Sequence, residues 1–184
     1  SNTVQLYLEA GMPATAADDD GRTALHVAAQ QADGAIARLL IAAGADVDAV
    51  RASGDTPLCD AAGEQAHGAA EALLAARAKV DATCSYGRTA LHEAAAENDA
   101  RMVQMLLAAG ATVDVRERFG ETPLHLAADE SDPAAVAALL AGGADPNARD
   151  TSGGTPLHEA VDGRAVASLE LLLAAGANAA IPYP

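Results

Sequence analysis

Residues 120–128 read GETPLHLAA, and near-copies of this nonapeptide recur along the chain. A fixed period of a few tens of residues indicates that short structural units stack, each burying its apolar face against its neighbours. The copies keep one register, and each starts 33 residues after the previous one: Gly21, Gly54, Gly87, Gly120 and Gly153. The sequence therefore predicts a repeat protein rather than a single globular core.

A second pattern follows the nonapeptide at a constant offset, as in LLIAAGADVD at residues 39–48 and LLAAGATVD at residues 106–114. The Thr of the nonapeptide predicts a helix N-cap, because its hydroxyl accepts a hydrogen bond from a backbone N–H that the helix leaves free. The Gly of the second pattern predicts a helix end, because glycine readily takes the left-handed conformation found there. Each unit is thus predicted as helix, turn, helix and a short extended connection. We call this connection the finger, and its tip is the residue before the next nonapeptide.

These motifs, with the core G-x-T-[PA]-L-[HC]-x-A-[AV], closely resemble the ankyrin repeat family from about Val4 to Ala180. The resemblance implies an all-α repeat solenoid of helix–turn–helix units with short β-turn or hairpin fingers, in a single domain. We expect an N-terminal half-repeat, four full repeats and a C-terminal capping repeat, numbered one to six: residues 1–20, 21–53, 54–86, 87–119, 120–152 and 153–184.

The charge of the chain restricts the partners it can bind. Its 184 residues include 11 basic and 26 acidic side chains, a formal net charge of −15. Such a charge repels phosphate backbones and anionic lipid surfaces, so neither nucleic acid nor a membrane is expected as a partner. Apolar runs are far shorter than the roughly 18 residues that a membrane helix needs. We expect a soluble monomer that binds an unidentified protein partner.

The ends and the composition give a weak indication of source. The chain opens with Ser1 and Asn2 rather than Met, which suggests an excerpt of a longer protein whose signal peptide, if any, would be missing. Lys79 is the single lysine and alanine is abundant, which suggests a GC-rich, bacterial genome. The expected location is the cytoplasm, or a host cell reached as an effector.

Four of the five histidines occupy the sixth position of the nonapeptide: His26, His92, His125 and His158. In the family that the chain resembles, this side chain bonds to backbone between adjacent repeats. Stacked copies lie about 10 Å apart, roughly a helix diameter, whereas a zinc ligand sits about 2 Å from its metal. No nucleophile paired with a base and no phosphate-binding glycine loop occurs either. The sequence predicts no enzyme activity, no cofactor and no metal site.

Repeat three departs most from the pattern. Cys59 replaces the motif histidine, and Arg77 replaces the glycine that ends the second helix. Alanines at 69, 70 and 72 fill positions that hold larger apolar side chains in neighbouring repeats, so we expect this layer to be the weakest. Cys59 and Cys84 have different positions in the repeat, so no disulfide is predicted: both are expected to be free thiols, with Cys59 buried.

The resemblance places binding on a concave surface, lined by the fingers and by the exposed side of the first helices. Tyr86 and Phe119 occupy the same tip position in successive repeats, and three arginines flank them: Arg88, Arg116 and Arg118. Exposed aromatics beside arginines are typical of interface hot spots. The first helices carry an acidic row: Glu64, Glu97, Asp129, Glu130 and Asp162. The alternatives are that each ring covers its own finger and that the acidic row is only a solvated face.

The function predicted is therefore a non-enzymatic protein-interaction module. One alternative is the substrate-recruiting arm of a larger enzyme or bacterial effector whose catalytic part lies outside this chain. Another is a structural spacer that binds nothing.

Overall fold

The computed structural model describes residues 13–182. The second helix predicted for the N-terminal half-repeat, near residues 4–10, lies outside the described residues, as do Tyr183 and Pro184. The chain divides after Ser85 into two compact units, which we call the N-terminal unit (1–85) and the C-terminal unit (86–184).

Within residues 13–182 each nonapeptide starts a pair of helices. The first helices of the pairs are α1 (Ala24–Ala29), α3 (Pro57–Gly63), α5 (Ala90–Ala96), α7 (Pro123–Ala128) and α9 (Pro156–Asp162). The second helices are α2 (Ala35–Ala42), α4 (His67–Ala75), α6 (Ala100–Ala108), α8 (Ala134–Ala141) and α10 (Val166–Ala174). Over these residues the β structure is limited to one isolated bridge between Ala17 and Thr23. The all-α repeat fold is confirmed.

Helices of the same kind pack on one another within each unit. In the N-terminal unit α1 contacts α3 and α2 contacts α4; in the C-terminal unit α5, α7 and α9 form one row and α6, α8 and α10 another. The core of each row is a line of buried leucines, such as Leu58 and Leu73 in repeat three and Leu91 and Leu124 in repeats four and five. Along residues 13–182 no helix has the length and apolar character needed to cross a bilayer.

A reciprocal cap starts the first helix of each histidine-containing repeat. In repeat four the Thr89 N–H donates to His92 Nδ1 at 3.1 Å, and the Thr89 hydroxyl lies 3.1 Å from the same nitrogen. The same capping box forms at Thr23, Thr122 and Thr155. It satisfies backbone donors that a helix start leaves free, as predicted.

Left-handed residues end the second helices. Gly44, Gly110, Gly143 and Gly176 have φ between 86° and 94° after these helices. Arg77 takes the equivalent place in repeat three with φ 63°. A side chain in this conformation costs about 1 to 2 kcal/mol because Cβ crowds the backbone. The prediction that Arg77 stands in a glycine position is confirmed.

Two further glycines permit a close approach that sequence reasoning did not anticipate. A Cβ on Gly34 would overlap the carbonyl of Gly68, and one on Gly68 would lie 2.7 Å from the Ala32 oxygen and 2.8 Å from the Gly34 nitrogen. The chain entering α2 therefore touches the first turn of α4 backbone to backbone. No side chain fits between them.

Candidate functional site

The fingers of the C-terminal unit lie side by side through backbone hydrogen bonds. The Arg118 N–H donates to the Tyr86 carbonyl at 3.0 Å, and the Thr151 N–H donates to the Phe119 carbonyl at 2.9 Å. The Thr151 hydroxyl donates to the same Phe119 oxygen at 2.7 Å. Equivalent tips thus come together although they are 33 positions apart in sequence.

Both aromatic tips face solvent. Tyr86 is 65% exposed and Phe119 is 55% exposed, so neither ring is covered by its own finger. Tyr86 also has φ 60°, a left-handed conformation that is uncommon for a bulky residue. Two large side chains are therefore held outward on fingers that are fixed by hydrogen bonds.

The three arginines predicted to flank them have different surroundings. Arg118 is exposed, and its guanidinium carbon lies 6.0 Å from the centre of the Phe119 ring, at the edge of cation–π range. Arg116 donates to the Gly120 carbonyl at 2.8 Å and also to the Arg149 carbonyl, so it braces two fingers. Arg88 is half-buried and its Nη1 lies 3.7 Å from Glu93 Oε1. Of the three, Arg118 is the exposed cation beside an aromatic ring.

The acidic row of the C-terminal unit is also exposed. Glu97 is the C-cap of α5, and Asp129 and Glu130 follow α7 directly. Asp129 and Glu130 line a shallow cleft together with Glu121 and Glu159, over a floor that includes Leu126. Glu97 is not among the residues that line this cleft. The acidic row is thus continued by Glu121 of a finger and Glu159 of α9.

Three half-buried carboxylates meet at this end of the cleft. Glu121, Asp150 and Glu159 each offer an oxygen within 4.8 Å of the others. Burial raises the pKa of Glu121 and of Glu159, and the neighbouring negative charges raise both further. Burial also acts to raise the pKa of Asp150, but hydrogen bonds from Ser152, Gly153 and Gly154 outweigh it and lower that pKa. A cluster of carboxylates alone does not identify a metal site, and we assign none.

Sequence reasoning did not bring this cluster together. Glu121 is the second residue of the repeat-five nonapeptide, Asp150 lies in the finger at the end of repeat five, and Glu159 lies in α9 of repeat six. They approach one another only when repeats stack. The available signal was the pairing of an acid at the second position of one nonapeptide with an acid at the seventh position of the next.

The motif histidines hold adjacent repeats together, as expected. Since Nδ1 accepts a backbone N–H, the neutral ring carries its proton on Nε2. In His26, His92 and His125 this N–H donates to a carbonyl 29 residues on, in the next repeat, at 3.2 Å from His26 to Asp55 and at 3.2 Å from His92 to Glu121. His158 donates to Ile181 within its own repeat. Burial lowers the pKa of His92 to about 4, which keeps the ring neutral near pH 7.

The prediction that both cysteines are free thiols is wrong. Cys59 and Cys84 form a disulfide, with Cα atoms 6.3 Å apart, a normal separation for a bridge. The burial predicted for Cys59 is correct, and Cys84 is buried too. The error came from treating the two positions as unrelated, whereas the fold of a single repeat brings the motif position of its first helix next to the finger at its end.

These features define the class: a stacked helix-pair repeat protein with an exposed finger face. A family model for ankyrin repeats (three copies) matches residues 1–84, 35–117 and 91–182, so the chain belongs to the ankyrin repeat family. Ankyrin repeats generally serve as protein-interaction modules, and the family is typically non-enzymatic. A search of curated proteins found no significant match.

Proposed function

We propose that this chain is a non-enzymatic module that binds a protein partner through the finger tips of its C-terminal unit. The observation that carries the proposal is the pair of exposed rings, Tyr86 and Phe119, on hydrogen-bonded neighbouring fingers. The chain has one Phe, no Trp and three Tyr, so two exposed rings at one repeat position are a large share of its aromatic content.

The physical basis of this proposal is that exposed apolar surface is unfavourable in water and becomes favourable when a partner buries it. Large aromatic side chains contribute most to interface energy when they arrive already ordered, because little side-chain entropy is lost on binding. Here Arg116 joins the finger of Phe119 to the next finger by donating to two backbone carbonyls. The Arg118 N–H joins the finger of Phe119 to that of Tyr86. These bonds order the backbone of both tips before a partner binds.

The chemistry of the partner follows from the groups that are exposed. Arg118 adds one cation beside Phe119, whereas Arg116 is occupied by backbone and Arg88 faces Glu93. A partner segment with an apolar side chain and one carboxylate fits this surface. The net charge of −15 argues against nucleic acid or an anionic membrane as the partner.

The acidic row is a second candidate surface, and Glu97, Asp129 and Glu130 are the members that we expect to contact a partner. It is favoured by the neighbouring cleft, where burial raises the pKa values of Glu121 and Glu159 and repulsion from nearby carboxylates raises them further. A cation from a partner would relieve that repulsion. A basic segment is the occupant that this surface fits.

Affinity capture from a lysate of the source organism tests whether the chain binds a protein partner through its finger tips. The intact chain, a Tyr86→Ala/Phe119→Ala variant and a Val166→Ala/Leu173→Ala variant are compared as baits. Val166 and Leu173 are exposed apolar residues of α10, so their variant controls for nonspecific hydrophobic binding. We expect a protein retained by the intact chain and by the α10 variant and lost from the finger variant. A partner retained equally by all three would move the site to the acidic row, and none retained by any bait would favour the spacer.

The enzyme-arm alternative differs only in what else the parent chain contains. The sequence of the full gene on both sides of this chain distinguishes it, since a catalytic domain there would make the captured protein a substrate. The finger surface would then recruit that substrate.

A further inference from the structure

In repeats four and five, two side chains hold the first helix to the following finger. The motif histidine donates from Nε2 to the finger backbone, as His92 does to the Glu121 carbonyl at 3.2 Å. In these two repeats an acidic residue three positions before the next Gly caps the finger turn, whereas repeat two has Arg51 there. Glu117 accepts from the N–H groups of Phe119 and Glu121, and Asp150 accepts from those of Ser152 and Gly154.

These two side chains are close to each other in space. Burial lowers the pKa of His92, and the negative charge of the nearby Glu117 partly opposes this effect. Burial likewise lowers the pKa of His125, and the charge of Asp150 partly opposes it. In repeats four and five the pair therefore forms a junction between the first helix and the finger that follows it.

Repeat three has neither side chain at this junction. Cys59 stands in the histidine position and Cys84 in the acidic position, and their sulfurs are bonded to each other. Both residues are buried, at 4% and 6% exposure. The two departures from the repeat pattern therefore compensate for each other: one covalent bond takes the place of the histidine bond and the acidic cap.

The finger next to this bond is joined to the previous one in a different way. At other joints a backbone N–H donates to the preceding tip carbonyl, as Ala52 does to Asp20 at 2.6 Å. Here the Ser85 N–H donates to Asp55 Oδ1 at 2.9 Å. The Ser85 hydroxyl lies 2.8 Å from the same oxygen and 2.9 Å from the Ser53 carbonyl. Without the disulfide, this joint depends on one serine and one aspartate.

We propose that the Cys59–Cys84 disulfide is a reversible clasp, whose reduction releases the finger joint at Ser85 while the other fingers stay held. It makes repeat three, which holds both cysteines of the chain, a site of thiol–disulfide exchange. Reduced cysteines cannot replace what is lost, because a thiol is only a weak hydrogen-bond donor and acceptor.

The chemistry is ordinary thiol–disulfide exchange. A thiolate of a small dithiol attacks one cysteine sulfur, and the other cysteine leaves as a thiolate. The second thiol of the reagent then attacks the mixed disulfide, releases the first cysteine and closes as a cyclic disulfide. The protein gains two electrons and two protons, and the reagent loses them. Because both sulfurs are buried, attack takes place from a transiently opened joint.

Amide hydrogen exchange followed by NMR tests the clasp in the intact chain. The amide of Ser85 reports on the joint, and that of Thr151 is its matched control, since it bonds to a neighbouring finger with no disulfide nearby. We expect exchange at Ser85 to rise on the order of tenfold after dithiol treatment, while Thr151 stays within about twofold. Mass spectrometry after thiol alkylation confirms that both cysteines have been reduced.

Two variants distinguish the effect of the covalent bond on Ser85 exchange from the effect of local packing. Cys59→His/Cys84→Glu restores the ordinary junction, so its Ser85 amide should exchange slowly with or without dithiol. Cys59→Ala/Cys84→Ala should exchange rapidly in both conditions. If the alanine variant fails to fold, the wild-type chain and the His/Glu variant still decide the matter. Two free thiols in the untreated chain, or unchanged Ser85 exchange in chain proven to be reduced, would overturn the proposal.

Discussion

Replacing Arg77 by glycine should stabilise the chain. Arg77 ends α4 with φ 63°, where the equivalent residues are glycines with φ near 90°. The left-handed conformation costs a residue with Cβ about 1 to 2 kcal/mol. Glycine relieves that cost but gives back about 0.4 to 1 kcal/mol through its larger unfolded-state entropy. The net expectation for Arg77→Gly is a gain of up to about 1.6 kcal/mol in the free energy of unfolding, with about 0.8 kcal/mol at the middle of the two ranges.

Two controls isolate the backbone contribution. A cation at a helix C-terminus is itself favourable by a few tenths of a kcal/mol, and Arg77→Gln removes that charge while keeping Cβ. Gly110→Arg is the reverse change, and because a Cβ there meets nothing within 4 Å, it should cost about what Arg77→Gly gains.

Urea unfolding followed by circular dichroism measures all three variants against the parent chain. The expected order of stability is Arg77→Gly, then the parent and Arg77→Gln, then Gly110→Arg. The reasoning fails if Arg77→Gly is no more stable than Arg77→Gln. That result would mean that the left-handed conformation of Arg77 at the end of α4 does not destabilise the chain.

Three further changes test other parts of the structure. Reduction of Cys59–Cys84 should lower the free energy of unfolding by about 3.5 kcal/mol, the loop-entropy value for cysteines 25 residues apart; an unchanged urea midpoint in reduced chain would refute this. Gly34→Ala should destabilise by about 1 to 3 kcal/mol through overlap with Gly68, whereas Gly63→Ala, which meets nothing within 4 Å, should not; equal urea midpoints would argue against the close approach. The pKa of His92 is about 4, below its ordinary 6.5. The unfolded chain therefore binds the extra proton, and stability present above pH 6.5 is lost towards pH 4, by up to about 3 kcal/mol. His92→Gln should flatten that pH dependence, and parallel pH curves would contradict it.

Local features of the fold were readable from sequence because their causes are local. Thr89 caps its helix through atoms three residues away, and Gly110 ends one through its own backbone. Both follow from residue type and position in the repeat. The 33-residue register then predicted which tips are neighbours, so the side-by-side placement of Tyr86 and Phe119 was foreseen.

Features that depend on contacts between residues far apart in sequence were not readable in the same way. Cys59 and Cys84 looked unrelated because they lie 25 positions apart, off the repeat period. Gly34 and Gly68 looked like ordinary turn residues because their contact joins two repeats. Arg116 looked like a binding cation because sequence cannot show that backbone carbonyls already occupy its guanidinium.

Calorimetry with the captured partner provides the decisive test of finger-tip binding. The titration compares the parent chain with Tyr86→Ala/Phe119→Ala and with Val166→Ala/Leu173→Ala, after circular dichroism has shown that all three are folded. Truncating a hot-spot aromatic costs roughly 1 to 3 kcal/mol of binding. We predict at least a tenfold weaker affinity for the finger variant and parent-like affinity for the α10 variant. Parent-like affinity in a folded finger variant would contradict binding through Tyr86 and Phe119.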